Sequence, residues 1–215
     1  MSLHSTQLPV FISTIMQTIN DNADEVAELD RAIGDGDHVI NLQRGLLALE
    51  KIKDELSSLE WSPAFMKIGM TLMSTMGGAS GSLFGTLFIS MAKASNNKIL
   101  DLTVFAQVFN QGVEAVKQRG KADLGEKTML DTLIPVASAL MTDAADDVNI
   151  VVALDNAKMA ALNGMQSTKQ MIATKGRASF LGDRAIGHID AGARTSQLMI
   201  CVIADVLLQE LTTPA

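Results

Sequence analysis

Apolar side chains recur at intervals of three and four residues along most of the chain. This spacing places them on one face of an α-helix, because each residue turns the helix by about 100°. No stretch shows the sustained apolar–polar alternation of a half-buried strand, and tyrosine is absent. The pattern therefore predicts about eight helices, at residues 4–22, 38–55, 62–76, 81–96, 102–118, 127–142, 148–173 and 193–211.

Short polar joints such as "SNNK" at 95–98 and "TDAADD" at 142–147 separate these helices. They are too short to link domains, so we expect residues 1–215 to form one all-α domain. Two breaks differ from such joints: "GGASGS" at 77–82 and "KGRASFLGDRAIGHIDAGAR" at 175–194. Loops as long as the second are usually functional or disordered, and its mixture of apolar and charged residues favours an ordered, functional loop.

The composition limits the possible partners. The net charge of −7 argues against nucleic-acid binding, which needs a basic face. Cys201 is the single cysteine, so an intrachain disulfide and a thiolate metal cluster are excluded. Its apolar run is interrupted by Asp205 and is too short to span a membrane, and the first ten residues do not resemble a signal peptide. We therefore expect a cytoplasmic protein.

Three acids cluster in "LDRAIGDGDHVINLQRG" at 29–45, where Asp30, Asp35 and Asp37 share a glycine-rich turn. A solvated loop, a helix cap and a cation site are the three possible explanations. Converging carboxylates repel one another by several kcal/mol at intermediate dielectric, and a divalent cation removes that repulsion. Oxygen ligands suit Mg²⁺, Ca²⁺ or Mn²⁺. The spacing does not fit an EF-hand, and capping of the next helix would account for Asp37 alone.

Phosphate-binding features accompany this turn. No P-loop motif is present, but "GGASG" opens a predicted helix whose first N–H groups could bind a phosphate. The long loop carries Arg177, Arg184 and His188. Together these features fit a phosphate ligand bridged by Mg²⁺ to the carboxylates. A simpler role, helix capping, is expected for Thr128 with Asp131 three residues later.

Four segments, "GDGDHVIN", "MTLMSTMGGASGSLFGT", "RGKADLGEKTMLD" and "KGRASFLGDRAIGHIDAGA", resemble the nucleotide-binding domain family of dihydroxyacetone kinases. The likeness covers essentially the whole chain and is greatest to the ADP-binding L subunits of phosphotransferase (PTS)-dependent enzymes. It implies a barrel of eight amphipathic helices with the nucleotide at one end. It also implies that Asp30, Asp35 and Asp37 hold two Mg²⁺. The implied nucleotide contacts are His38, Asn41, Gly78, Ala79, Ser80, Gly120, Met129, Arg177 and Asp190.

The resemblance further implies a catalytic cycle and partners. ADP would stay bound as a cofactor and be rephosphorylated in place by a PTS phosphocarrier. The ATP so formed would pass its γ-phosphoryl group to dihydroxyacetone on a separate K subunit. A transcriptional regulator is a further possible partner, and a homodimer or heteromer is expected. Two alternatives stay open: a subunit of an ATP-dependent kinase for another small ketose, and a non-catalytic helical protein that binds a transcription factor.

Three residues depart from the family pattern. Val39 stands where the family usually has Gly, and Ser82 and Ala191 each replace a Pro. A valine does not readily adopt a positive φ. If the family's glycine needs one, the backbone after His38 must differ in this chain.

Overall fold

The computed structural model describes residues 3–212, and within that range it contains helices but no strand. This confirms the predicted all-α class. The α-helices are α1 (Leu8–Asp21), α2 (Ala23–Ile33), α3 (His38–Glu50), α4 (Lys53–Ser57), α5 (Trp61–Thr75), α6 (Gly78–Ala94), α7 (Leu102–Gly120), α8 (Leu130–Ala145), α9 (Ile150–Ser167) and α10 (Ala191–Thr212). Three 3-10 helices lie at Ser5–Gln7, Thr168–Gln170 and Arg177–Ala185.

Eight of these helices form a closed ring. The order around it is α1, α3, α5, α6, α7, α8, α9 and α10, and α10 packs back onto α1. Each of the eight corresponds to one helix predicted from the apolar pattern, because a ring helix must present one continuous apolar stripe to the interior. The predicted barrel is therefore confirmed.

The other two helices, α2 and α4, lie outside the ring. The predicted helices do not include α2, in which five of the eleven residues are charged and only Val26 and Ile33 are buried. The predicted helix at 38–55 is interrupted at Lys51 and Ile52, where α3 ends and α4 begins. The break was hidden because Leu49, Ile52 and Leu56 keep helical spacing across it. After the break, α4 packs against α1.

The ring encloses an apolar cavity of about 250 Å³. Its wall consists of inward-facing side chains from the ring helices, including Phe11, Leu46, Phe84, Leu133 and Ile203. Side chains therefore do not fill the interior to its centre.

Helix α10 is the one described helix whose length and composition would allow it to span a membrane. Because α10 packs against α1, α8 and α9, its apolar side chains are accounted for as part of the core.

Glycines let α5 and α6 pack backbone against backbone. A Cβ atom on Gly69 would lie 2.9 Å from the carbonyl oxygen of Gly85 and 3.0 Å from the amide nitrogen of Ile89. A Cβ atom on Gly85 would in turn lie 3.0 Å from the carbonyl oxygen of Gly69. All three distances are shorter than ordinary van der Waals contacts, so at these positions each helix leaves no room for a side chain on the other.

We expect Gly69→Ala to lower the free energy of unfolding by about 1 kcal/mol, measured by urea denaturation. Overpacking costs about 1–3 kcal/mol, which outweighs the gain of about 1 kcal/mol in helix propensity. Ser74→Ala is the matched control, because Ser74 lies exposed on the same helix. That variant should be as stable as the wild type or slightly more so. A Gly69→Ala variant at least as stable as the wild type would contradict the close packing.

Candidate functional site

The three predicted metal ligands meet in the turn between α2 and α3. Asp30 lies in the last turn of α2, and Asp35 and Asp37 follow in the connection to His38. One carboxylate oxygen from each lies within 4.8 Å of the other two. Asp30 is half-buried, whereas Asp35 and Asp37 are exposed. An all-oxygen set of three carboxylates at this separation fits a hard divalent cation such as Mg²⁺.

Gly34 is what allows the turn to fold back on Asp30. A Cβ atom at Gly34 would lie 2.1 Å from Asp30 Oδ1, so a larger residue would displace that carboxylate. The second oxygen, Asp30 Oδ2, accepts a hydrogen bond of 3.0 Å from the backbone N–H of His38, the first residue of α3. Asp37 stands at the N-cap position of α3, but its side chain makes no capping hydrogen bond. The capping explanation for Asp37 is therefore wrong, since Asp30 supplies the acceptor.

His38 joins the first turns of three helices. Its Nδ1 lies 3.2 Å from Ser80 Oγ in α6, and its Nε2 lies 3.0 Å from Thr195 Oγ1 in α10. Burial lowers the pKa of the imidazole, although the nearby Asp30 and Asp37 act in the opposite direction. The N-termini of α3, α6 and α10 therefore converge beside the acidic turn. Each bears backbone N–H groups that have no partner within the helix and carries a partial positive charge.

The glycine segment before α6 packs against Asn41. A Cβ atom at Gly77 would lie 2.4 Å from Asn41 Oδ1, and Gly78 adopts a positive φ of 63°. Asn41 is buried, whereas Gly78 and Ala79 are exposed at the start of α6. The structure thus brings the predicted contacts Asn41, Gly78, Ala79 and Ser80 together at one helix N-terminus.

Met129 and Asp190 form the opposite wall of the site. A Cβ atom at Gly192 would lie 3.0 Å from Asp190 Oδ2 and 3.4 Å from the Met129 Cβ, so the glycine lets the two approach. Asp190 Oδ2 accepts a 2.8 Å hydrogen bond from the Ala193 N–H and so caps α10. Burial raises the pKa of Asp190 to about 6.

Gly120 is the last residue of α7 and approaches Leu83 of α6.

The predicted capping pair at the start of α8 is confirmed. Thr128 Oγ1 accepts a hydrogen bond of 3.1 Å from the Leu130 N–H, and Asp131 Oδ2 accepts one of 2.7 Å from the Thr128 N–H. Thr132, one residue further, donates from Oγ1 to the carbonyl oxygen of Ala193 at 3.1 Å. This bond brings the start of α8 to the same rim as the start of α10.

Lys127 is a functional-site residue that the sequence did not reveal. Its side chain is only 1% exposed, and its φ is +60°, which is rare for a residue with a side chain. Lys127 Nζ donates to the carbonyl oxygens of Thr168 and His188. Burial lowers the pKa of this lysine, whereas Asp190 and Asp131 raise it. Lys127 thus links both ends of the α9–α10 connection, which contains the long loop, to the segment just before α8.

The long loop is ordered, as predicted, and the structure shows that its connection packs on α2. Ala173 and Ala185 form a small apolar cluster with Ile33 of α2. Arg177 Nε lies 2.6 Å from Asp35 Oδ2, so the loop closes onto the acidic turn. Arg184 and His188 are exposed and make no ion pair with that turn within the described residues. The structure therefore places Arg177 in the site but not these two side chains.

The three departures from the family pattern are accommodated locally. Val39 is buried in α3 and is not among the described residues with a positive φ. Ser82 Oγ accepts a 2.8 Å hydrogen bond from Arg119 Nε. Ala191 is the buried first residue of α10. None of the three changes removes a predicted ligand of the site.

Residues 32–205 match the model of the DAK2 domain family. The ADP-binding subunit DhaL of PEP-dependent dihydroxyacetone kinase 1 from Listeria innocua serovar 6a is 44% identical over 184 residues. That alignment covers 85% of this chain and 87% of the relative. The chain belongs to the DAK2 domain family. Another DAK2 relative, the ADP-binding subunit DhaL of the Escherichia coli K12 PEP-dependent dihydroxyacetone kinase, is 38% identical over 205 residues, with 95% and 98% of the two chains covered.

A solved structure shares the DAK2 fold. The crystal structure of the dihydroxyacetone kinase from C. freundii in complex with AMP-PNP and Mg²⁺ superimposes with a TM-score of 0.75 at 22% sequence identity. The match covers 96% of this chain and 35% of that one. At this identity the likeness supports the helical ring as the common DAK2 fold.

We expect Asp35→Asn and Asp37→Asn each to weaken Mn²⁺ binding at least about tenfold, because each removes one anionic ligand. Electron paramagnetic resonance of free Mn²⁺ measures the affinity, and circular dichroism should show an unchanged helical fold. Asp24→Asn is the control, because Asp24 is exposed on α2 away from the cluster. Equal Mn²⁺ affinity in all four proteins, wild type included, would exclude the metal site.

The metal-free protein should lose stability as the pH rises from about 4 to 6. Across this interval folded Asp190 keeps a proton that the unfolded chain has released, since its folded pKa of about 6 exceeds the ordinary 3.8. Asp190→Asn should flatten this decline, measured by urea unfolding at each pH, and Asn still caps the helix. The exposed Asp183→Asn should retain the wild-type slope. Parallel pH profiles for wild type and Asp190→Asn would contradict the raised pKa.

Proposed function

We propose that this chain is the nucleotide-binding subunit of a PTS-dependent dihydroxyacetone kinase. Asp30, Asp35 and Asp37 hold two Mg²⁺, which neutralise both the carboxylates and the nucleotide phosphates. The observation that carries the proposal is the position of this carboxylate cluster beside the converging helix N-termini. A chain with a net charge of −7 needs a local source of positive charge to bind a diphosphate, which bound cations and helix ends supply here.

Each predicted contact has a role that suits its position. The exposed backbone at Gly78, Ala79 and Ser80 binds phosphate oxygens through the N–H groups at the start of α6. The remaining contacts lie on two sides of the nucleotide. His38 and Asn41 flank the phosphates. Gly120, Met129 and Asp190 line the rest of the nucleotide site, including its adenine end. Arg177 closes from the long loop and can exchange Asp35 for a phosphate when nucleotide binds.

The nucleotide supplies the group-transfer chemistry: bound ADP accepts a phosphoryl group from a PTS phosphocarrier, and the ATP formed donates it to dihydroxyacetone. The names of the relatives, ADP-binding subunits of PEP-dependent kinases, support this assignment. The chain itself holds and orients the nucleotide, and a separate K subunit holds the triose. Assembly with that subunit, with the phosphocarrier and as a homodimer or heteromer belongs to the proposal. The proposal also includes a contact with a transcriptional regulator and a cytoplasmic location.

Calorimetric titration of nucleotide-free protein with ADP tests the proposal. We expect saturable binding in Mg²⁺ and none in excess EDTA, because the metal bridges the carboxylates to the phosphates. Absence of binding in Mg²⁺ would overturn the nucleotide assignment and leave the non-catalytic, regulator-binding alternative.

The kinetics of ADP release distinguish the two kinase alternatives. If ADP is a resident cofactor, pre-bound fluorescent ADP should leave slowly compared with turnover when the K subunit and the phosphocarrier are added. Release faster than turnover would instead favour a kinase that exchanges free ATP in each cycle.

A further inference from the structure

Thr195 occupies a fully buried position behind the site. Its side chain is not exposed at all, so it does not itself reach a ligand. Thr195 Oγ1 lies 3.2 Å from the carbonyl oxygen of Gly192 and 3.0 Å from His38 Nε2. A hydroxyl group has a single proton, so it can donate to only one of these two atoms. The carbonyl oxygen can only accept.

The two neutral forms of His38 use this geometry differently. With the proton on Nε2, three hydrogen bonds form in sequence. Ser80 Oγ–H donates to Nδ1, Nε2–H donates to Thr195 Oγ1, and the Thr195 hydroxyl donates to Gly192. With the proton on Nδ1, the Thr195 hydroxyl must donate to Nε2, and its hydrogen bond to the Gly192 carbonyl oxygen is lost. The Ser80 hydroxyl then no longer has Nδ1 as an acceptor. The first arrangement makes one more hydrogen bond, which corresponds to a preference of about tenfold for a buried pair.

We propose that Thr195 is a positioning residue that fixes His38 as the Nε2–H tautomer and thereby holds the first turns of α3, α6 and α10 together. The buried oxygen of Thr195 accepts from Nε2 only while its own proton is directed to Gly192. This orientation leaves Nδ1 as the acceptor for Ser80.

This arrangement assigns separate tasks to the two polar groups of Ser80. Its hydroxyl is committed to His38, so its backbone N–H, together with those of Gly78 and Ala79, remains for an anion at the start of α6. Loss of the Thr195 acceptor would free the imidazole to change tautomer and would release the Ser80 hydroxyl. The consequence for nucleotide affinity rests on the proposed function, whereas the tautomer does not.

The tautomer is read directly from the imidazole nitrogens. Long-range proton–nitrogen correlation spectra of protein labelled with ¹⁵N-histidine, recorded without ligand at pH 8, distinguish a protonated from an unprotonated ring nitrogen. His38 is one of three histidines, and its signals are assigned by their loss in His38→Gln. We expect a protonated Nε2 and an unprotonated Nδ1 in the wild type. A protonated Nδ1, or an even mixture, would overturn the proposal whatever the variants do.

Thr195→Val removes the hydroxyl at nearly constant volume and should produce a mixture of tautomers. Thr195→Ser retains the hydroxyl and should keep the wild-type spectrum. The matched control is Thr132→Val, because Thr132 is equally buried and its hydroxyl donates to Ala193 in the same turn of α10 without touching His38. Thr195→Ala replaces the valine variant if the latter does not fold. Unchanged His38 signals in a folded variant without the hydroxyl would overturn the role of Thr195.

The affinity for Mg·ADP then tests the positioning role. Thr195→Val should weaken it about fivefold to tenfold, a loss of the size of one buried hydrogen bond, and Thr195→Ser should bind like the wild type. Equal affinity despite an altered tautomer would overturn the link between His38 and the site. A wild-type protein that does not bind Mg·ADP would instead refute the proposed function, and the spectra alone would then decide the tautomer.

Discussion

The closure of eight amphipathic helices into one ring is the constraint on which the rest of the structure depends. Each helix buries its apolar stripe toward the interior and leaves its polar face outside, so the chain connections lie at the two rims. The helices that begin at one rim alternate around the ring with the other four. The starts of α3, α6, α8 and α10 meet there, joined by the hydrogen bonds of His38 and of Thr132.

This rim combines two opposite electrostatic features. Four helix N-termini bring partial positive charge, whereas Asp30, Asp35 and Asp37 bring three negative charges. Neither feature alone would suit a metal–diphosphate ligand, since the phosphates need the N–H groups and the metals need the carboxylates. A neutral His38 between the two keeps the helix starts together without adding a charge. On the side of the site formed by Met129 and Asp190, the buried ammonium group of Lys127 lies close to Asp131 and Asp190.

Sequence reasoning predicted those parts of the molecule that short-range patterns determine. The eight ring helices were predictable because each carries its own apolar stripe, and the acidic turn because its three aspartates lie within eight residues of one another. Helix α2 was missed because it is short, five of its eleven residues are charged, and its apolar face buries only Val26 and Ile33. The capping alternative for Asp37 could not be decided from the sequence, because the choice between Asp30 and Asp37 as acceptor depends on how Gly34 folds the chain back. Lys127 and Thr195 could not be found, since their partners lie 41 and 157 residues away along the chain.

The most direct test of the account is a crystal structure of the protein grown with Mn²⁺ and ADP, with the metals located by their anomalous scattering. We expect metal peaks bounded by Asp30, Asp35 and Asp37, with the diphosphate between those peaks and the backbone N–H groups of Gly78, Ala79 and Ser80. A nucleotide bound elsewhere on the ring, or Mn²⁺ absent from the three carboxylates at full ADP occupancy, would contradict it.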